Sequence, residues 1–291
     1  MTEQKSRKPY RTFADSPLFW AVMLAITFGL LAWGRLTNVR DYAFAVDAPD
    51  TPLPVTLSLN LGEGNTFINS LPEGHPDLFD ADMTTPGIVD FYSDIDEDSV
   101  TIEVDYVPLS PLVGMLFGHA DNQREWNVRL AREAPTTLLI NSGLGRTEAD
   151  LRDLNITLLE LETGLANVDV RLPGGEYTAR LTSGAGDVAL DVEDAVVLDI
   201  TLETGAGDVS LEAESEISGT IAIDAGGGQI ELDVPDDTSL RLTVDEGFGG
   251  VNLPAWLMPT DDGVYESAAV ADVGVALTVT LNGTLGDFTL R

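Results

Sequence analysis

The chain has no cysteine, so disulfide frameworks and cysteine-based zinc sites are excluded. Its two histidines, His75 and His119, are too few for histidine-dense metal or acid–base chemistry. No lysine follows Lys8, and nine arginines stand against 47 acidic residues after Arg40, within a formal net charge of −34. A surface that acidic repels nucleic acid and anionic headgroups. No nucleic-acid partner is therefore expected. Solubility is the plain reading of the charge, and attraction of cations or a basic partner is the specific one. The phosphate and hydrolase signatures GxxxxGK[ST], GxSxG and HExxH do not occur, and Gly184-x-Gly186 has Ala189 where a dinucleotide loop needs its third glycine. No acidic pair stands in an apolar setting that would tune a glycosidase-like acid and base. No catalytic, cofactor-binding or metal residue is expected, and the chain does not read as an enzyme.

What is present is a ladder: Gly143, Gly164, Gly184, Gly205, Gly226 and Gly247, separated by 21, 20, 21, 21 and 21 residues. A fixed period of this size marks a repeat architecture. Three residues before each glycine stand Ile140, Leu161, Leu181, Leu202, Ile223 and Val244. Four after stand Thr147, Val168, Val188, Val209, Ile230 and Val251. Further columns at −5, +6 and +8 are nearly all apolar, so each side of the glycine alternates with period two. That pattern predicts an all-β, right-handed parallel β-helix (solenoid) with rungs of 21 residues, one strand either side of a glycine turn. Gly186, Gly207 and Gly228 add a second glycine, a sign of positive φ or close backbone stacking. One column is polar: Arg146, Asn167, Asp187, Asp208 and Gln229. It reads as ordinary turn residues, with a cation bridging Asp187 and Asp208 as the alternative. The calcium-roll repeat GGxGxDxUx is not present.

Outside the ladder, residues 16–36 contain an uncharged apolar run, Pro17–Gly34, with Trp20 and Trp33 near its ends. With Ser16 it makes about 28 Å of helix, enough to cross a hydrocarbon core. Lys5, Arg7, Lys8 and Arg11 precede it, so residues 1–15 read as a cytoplasmic tail and the remainder as extracytoplasmic. The lipid bilayer is thus the expected partner of residues 16–36, a single-pass signal-anchor in the cell membrane. The rival is a signal peptide cleaved at Ala43-Phe44-Ala45, opposed by Arg35 and Arg40 between run and site. Residues 37–52 read as a tether, 53–135 as an N-terminal β part and 136–291 as the repeat solenoid. Within the β part, Val55–Asn60, residues 64–68 and Val100–Tyr106 read as strands. Residues 69–97 read as a solvated acidic loop and 108–119 as an apolar loop. Residues 254–267 interrupt the period as a loop, after which 275–290 repeat the rung pattern and are expected to cap the stack.

With those residues in view, the outer region resembles the LiaF-like, or toast-rack, family of bacterial envelope proteins. The segments that carry the resemblance are VTLSLNLGEGNTFINSL, EWNVRL, the run TTLLINSGLGRTEADLRDLNITLLELETGLANVDVRLP, and DGVYESAAV followed by VALTVTLNGTLGDFTL. The resemblance implies an extracytoplasmic β-solenoid on a membrane anchor and, for LiaF itself, restraint of a cell-wall-stress sensor. Members often carry several membrane helices, where this chain shows one. The family supplies no catalytic residues. The expected role is a binding or scaffold protein sensing or regulating envelope stress, with an envelope protein or cell-wall polymer as partner. Alternatives are a surface adhesin, with or without calcium, and an enzyme acting on envelope polysaccharide.

Overall fold

A computed structural model describes residues 39–108 and 124–291, apart from residues 194, 216, 246, 248 and 284. The expected cytoplasmic tail 1–15, the span 16–36 and most of the apolar loop 108–119 lie outside the described residues. Among those described, no helix is long and apolar enough to cross a membrane.

The chain is all-β, a parallel solenoid whose single described helix is the four-residue α1 (Val270–Val273). In the middle of the stack the rungs follow chain order. They comprise β8 (Thr136–Asp150), β9 (Ile156–Leu172), β10 (Gly175–Ala185) with β11 (Val188–Val192), β12 (Ala195–Ala206) with β13 (Val209–Ala213), and β14 (Gly219–Ala225) with β15 (Ile230–Asp233). Strands β8 and β9 run unbroken through the glycine turn; later rungs divide there. The register is that of the columns: Ile140 pairs with Leu161, Leu161 with Leu181, Leu181 with Leu202 and Leu202 with Ile223. Inward side chains switch parity at the turn: in β8, Leu138, Ile140 and Ser142 give way to Thr147, Ala149 and Leu151, all buried. Both inward faces share one hydrophobic core.

The turn's close stacking accounts for its glycines. Gly207 has φ 134°, and a Cβ there would collide with the carbonyl oxygen of Gly186 one rung earlier. Only glycine meets both conditions without strain.

The two ends depart from chain order. Strands β2 (Val55–Asn60) and β3 (Glu63–Ser70) lie against β8, while the outer rung beyond them is β6 (Val100–Val107) with β7 (Glu125–Leu130). At the other end, β20 (Leu277–Gly283) and β21 (Asp287–Leu290) do not cap the stack. They insert between β14/β15 and the rung of β16 (Leu240–Val244) with β17 (Gly250–Asn252). Leu277 thus pairs with Gly219 on one side and Leu240 on the other. Ile223 and Val244, adjacent in the sequence columns, are separated by Leu281.

Antiparallel strands close both ends, covering ladder edges that a parallel stack leaves open. Strand β4 (Asp77–Thr85) pairs with β7, and β1 (Arg40–Asp47) pairs with β4. Strand β5 (Ile88–Ile95) pairs with β6. The opposite end carries the hairpin of β18 (Leu257–Asp261) and β19 (Val264–Ser267), with β19 against β16.

Three segments expected as tether or loop hold strands. The tether over 37–52 holds β1, whose Phe44 stacks on Phe91 at 4.6 Å and whose Tyr42 hydroxyl donates to the Gly87 carbonyl at 2.9 Å. The acidic loop over 69–97 holds β4 and β5. Its aspartates alternate with buried Phe79, Ala81 and Met83, and Arg129 draws in Asp80 at 3.0 Å and Asp82 at 2.6 Å. The loop over 254–267 is the β18–β19 hairpin, which the end rung requires as cover.

Candidate functional site

A shallow groove of ≈ 370 Å³ lies on the outer side of the sheet that follows the glycine turn. Alternation places its lining. In β9, β11, β13 and β15 the buried residues Val168, Val188, Val209 and Ile230 leave their neighbours pointing outward. The polar column forms one wall, and the next outward column, Asp169, Ala189, Ser210 and Glu231, forms the floor. Small side chains at Ala189 and Ser210 make the depression; carboxylates ring it.

The polar column is hydrogen-bonded along its length. Asn167 Oδ1 accepts the backbone N–H of Asp187 at 3.2 Å, Asp187 Oδ1 that of Asp208 at 3.1 Å, and Asp208 Oδ1 that of Gln229 at 2.8 Å. Each side chain therefore satisfies a donor one rung onward, which offsets part of the repulsion between stacked Asp187 and Asp208. The turn-residue reading of this column accounts for the contacts observed. Among the described residues no group of three or more His, Asp or Glu is arranged to hold a metal.

Arg146 closes the groove at one end, 3.3 Å from Asp169 and 3.4 Å from Glu148. It is not exceptional. All nine arginines after Arg40 pair with carboxylates, among them Arg132 with Asp153, Arg180 with Glu160, Arg241 with Glu266 and Arg291 with Glu231. At the edge opposite the glycine turn, Arg152 bonds Asp150 at 2.7 Å and Glu193 at 3.1 Å, while Arg171 reaches Asp150 at 3.6 Å. The hydrogen bond from Arg152 holds the Asp150 carboxyl below the usual carboxylate range, although partial burial pushes the other way.

The groove brings together every member of the predicted polar column. It adds Asp169 and Glu231, which the sequence reading did not single out. Their signal was available: both stand two residues beyond the polar column, hence on the same outward face.

Residues 110–191 match the family model described as the N-terminal domain of toast_rack, DUF2154. Over that segment the toast-rack resemblance is shown. It takes in β8, β9 and β10, and so the first rungs of the groove. No curated protein matches the chain. Among solved structures, the chain is similar to a "putative cell adhesion protein" from Clostridium sporogenes, at 16% identity and TM-score 0.42, over 87% of this chain and 99% of that one. It is also similar to a "putative adhesin" from Bacteroides fragilis, at 12% identity and TM-score 0.36, over 87% of this chain and 97% of the other. A "putative lipid binding protein" from Parabacteroides distasonis shows 9% identity and TM-score 0.37, over 86% of this chain and 96% of the other.

Proposed function

We infer that the chain is a membrane-anchored binding scaffold of the cell envelope that acts by holding a cationic partner and not by catalysis. Residues 16–36 anchor it in the bilayer, the N-terminus lies in the cytoplasm, and the solenoid stands outside. Its coil is right-handed, as parallel crossovers nearly always are. One observation carries the reading. With every arginine after Arg40 engaged by a carboxylate, the acidic residues remain in large excess, and several line one groove. Such a surface attracts a basic segment of an envelope protein and accelerates its encounter.

An enzyme acting on acidic polysaccharide would need a free cation beside a carboxylate pair. Arg146 is the groove's arginine, and Asp169 and Glu148 already hold it. The family match covers the groove's first rungs, so restraint of a sensor remains a form this binding can take.

The test is titration of the full-length protein in detergent micelles with a fluorescent Lys-rich peptide. Binding should weaken steeply with salt, and the double variant Asp187→Asn/Asp208→Asn should bind several-fold more weakly, at roughly 1 kcal/mol or less per exposed charge. Equal binding of a Glu-rich peptide, or an affinity that neither salt nor the double variant moves, would sink the reading.

A further inference from the structure

The edge of the solenoid formed by the glycine turns is poor in charge over its central rungs, between acidic rows on both sides. Across successive rungs it consists of Gly143-Leu144-Gly145, Gly164-Leu165-Ala166, Gly184-Ala185-Gly186, Gly205-Ala206-Gly207 and three glycines at 226–228, followed by Leu285-Gly286 in the inserted rung. None of these residues is charged; charge returns in the flanking turns, at Glu63 and Asp245. Close stacking explains the glycines but not the leucines between them. Leu144 is 39% exposed, Leu165 61% and Leu285 73%. Exposed leucines at both ends of an edge otherwise made of alanine and glycine, flanked by carboxylates, call for something that covers them.

The chain's own path identifies the cover. At the end nearest the N-terminus, Tyr106 fills the space over both Gly62 and Gly87, so Val107 and Ile88 continue the apolar edge. These two form a cross-strand pair, 42% and 40% exposed. Arg40, the first residue of β1, pairs with Thr85 beside this corner. The apolar run ends at Gly34, leaving five residues before Arg40, a reach of about 18 Å at most. At this corner Arg124 and Glu63 neutralise each other in an ion pair.

We propose that the solenoid lies along the outer surface of the bilayer on this apolar edge, with Leu144, Leu165 and Leu285 in the headgroup region. The inference rests on the reading of residues 16–36 as a membrane span. Each leucine adds little on its own, but a short link to an anchor converts weak contacts into a fixed orientation. An upright rod is disfavoured because the end face bears Asp90, Asp94, Asp96, Glu97 and Asp98. A second copy docked edge to edge is disfavoured too. The rows flanking the edge carry Glu162, Glu203 and Asp224 on one side and Asp187 and Asp208 on the other, so two copies would set acid against acid.

The absence of cysteine makes the test clean. Single cysteines replace Leu165, Leu285, Ala189 or Met258 in the full-length protein, carry an environment-sensitive fluorophore, and are reconstituted in phosphatidylcholine vesicles. Labels at 165 and 285 should shift to the blue and lose roughly half their emission to a headgroup nitroxide lipid. Labels at 189 on the groove face and 258 on the far hairpin should do neither. If the protein floats with the vesicles and the 165 and 285 labels stay as unquenched as 189, the inference fails and the anchor stands. Shielding at 165 and 285 that tracks protein concentration and not lipid would also overturn it, by revealing a second copy. Failure to float with vesicles removes the anchor reading and this inference together.

Discussion

The middle and the ends of the solenoid obey the same inward pattern but different connectivity. From β8 to β15 each rung rests on the one before it in sequence, with the inward columns in register. At the ends, the rung that comes later in the chain sits elsewhere: β6/β7 lies outside β2/β3, and β20/β21 lies inside β16/β17. The middle stacks by identity of neighbours. The ends solve a separate problem, since a terminal rung has no neighbour and must be covered. Inserting the last rung lets the chain's C-terminus contribute two interfaces instead of one, while the preceding segment folds into the hairpin that closes the stack.

That difference sets the size of the responses to change. Removing residues 277–291 should cause the largest. Because β20 holds β14 on one side and β16 on the other, its loss should detach the cap and abolish cooperative unfolding of the C-terminal half. Hydrogen exchange would show protection lost through β14–β19 yet kept in β8 and β9; protection retained through β16 would contradict the insertion.

Glycine substitutions should divide by region in the same way. Gly207→Ala, in the middle, places a Cβ against a backbone carbonyl at positive φ and should cost about 3 kcal/mol or more by denaturant melt. Gly74→Ala, in the connection near one end, has φ 75° with open space around it and should cost about 1 kcal/mol. Equal costs would remove the argument that stacking, and not turn shape alone, selects the ladder.

The smallest effect concerns the ion-paired edge opposite the glycines. Asp150 has its folded-state pKa lowered, so its stabilisation is present above the unfolded value, about 3.9, and is lost as pH falls through the folded value. Asp150→Asn should therefore melt lower than the parent at pH 6 and converge with it in acid. Parallel curves at all pH values would show that the pair with Arg152 contributes nothing measurable.

The legibility of the fold follows the same division. The columns through Ile140, Leu161, Leu181, Leu202 and Ile223 were readable because each rung repeats one length and one alternation. The polar column was readable for the same reason, and it led to the groove. The insertion of Leu277–Leu290 was not readable. All inward columns share one chemistry, so no local residue states which neighbour a rung will take. Strands β4 and β5 were obscured differently: Asp80 and Asp82 dominate the composition, while the alternation with Phe79, Ala81 and Met83 that places them outward was the stronger signal. The hairpin at 257–267 has short strands whose outward residues are largely exposed, so its pattern only makes sense once an open end exists to cover.

The inserted rung is the central claim, and a pair of cysteine variants tests it directly in a chain that has none of its own. Thr220 is directly opposite Thr278 in the stack, about 4.8 Å away between neighbouring strands, within the span a disulfide bridges. Arg241, which chain-order stacking would place beside Thr220, lies one strand further, about 9.6 Å away and beyond that span. The double variant Thr220→Cys/Thr278→Cys should oxidise to a disulfide in the folded protein, and Thr220→Cys/Arg241→Cys should remain reduced. The reverse outcome would show that the rungs follow chain order to the end and that the last rung caps the stack.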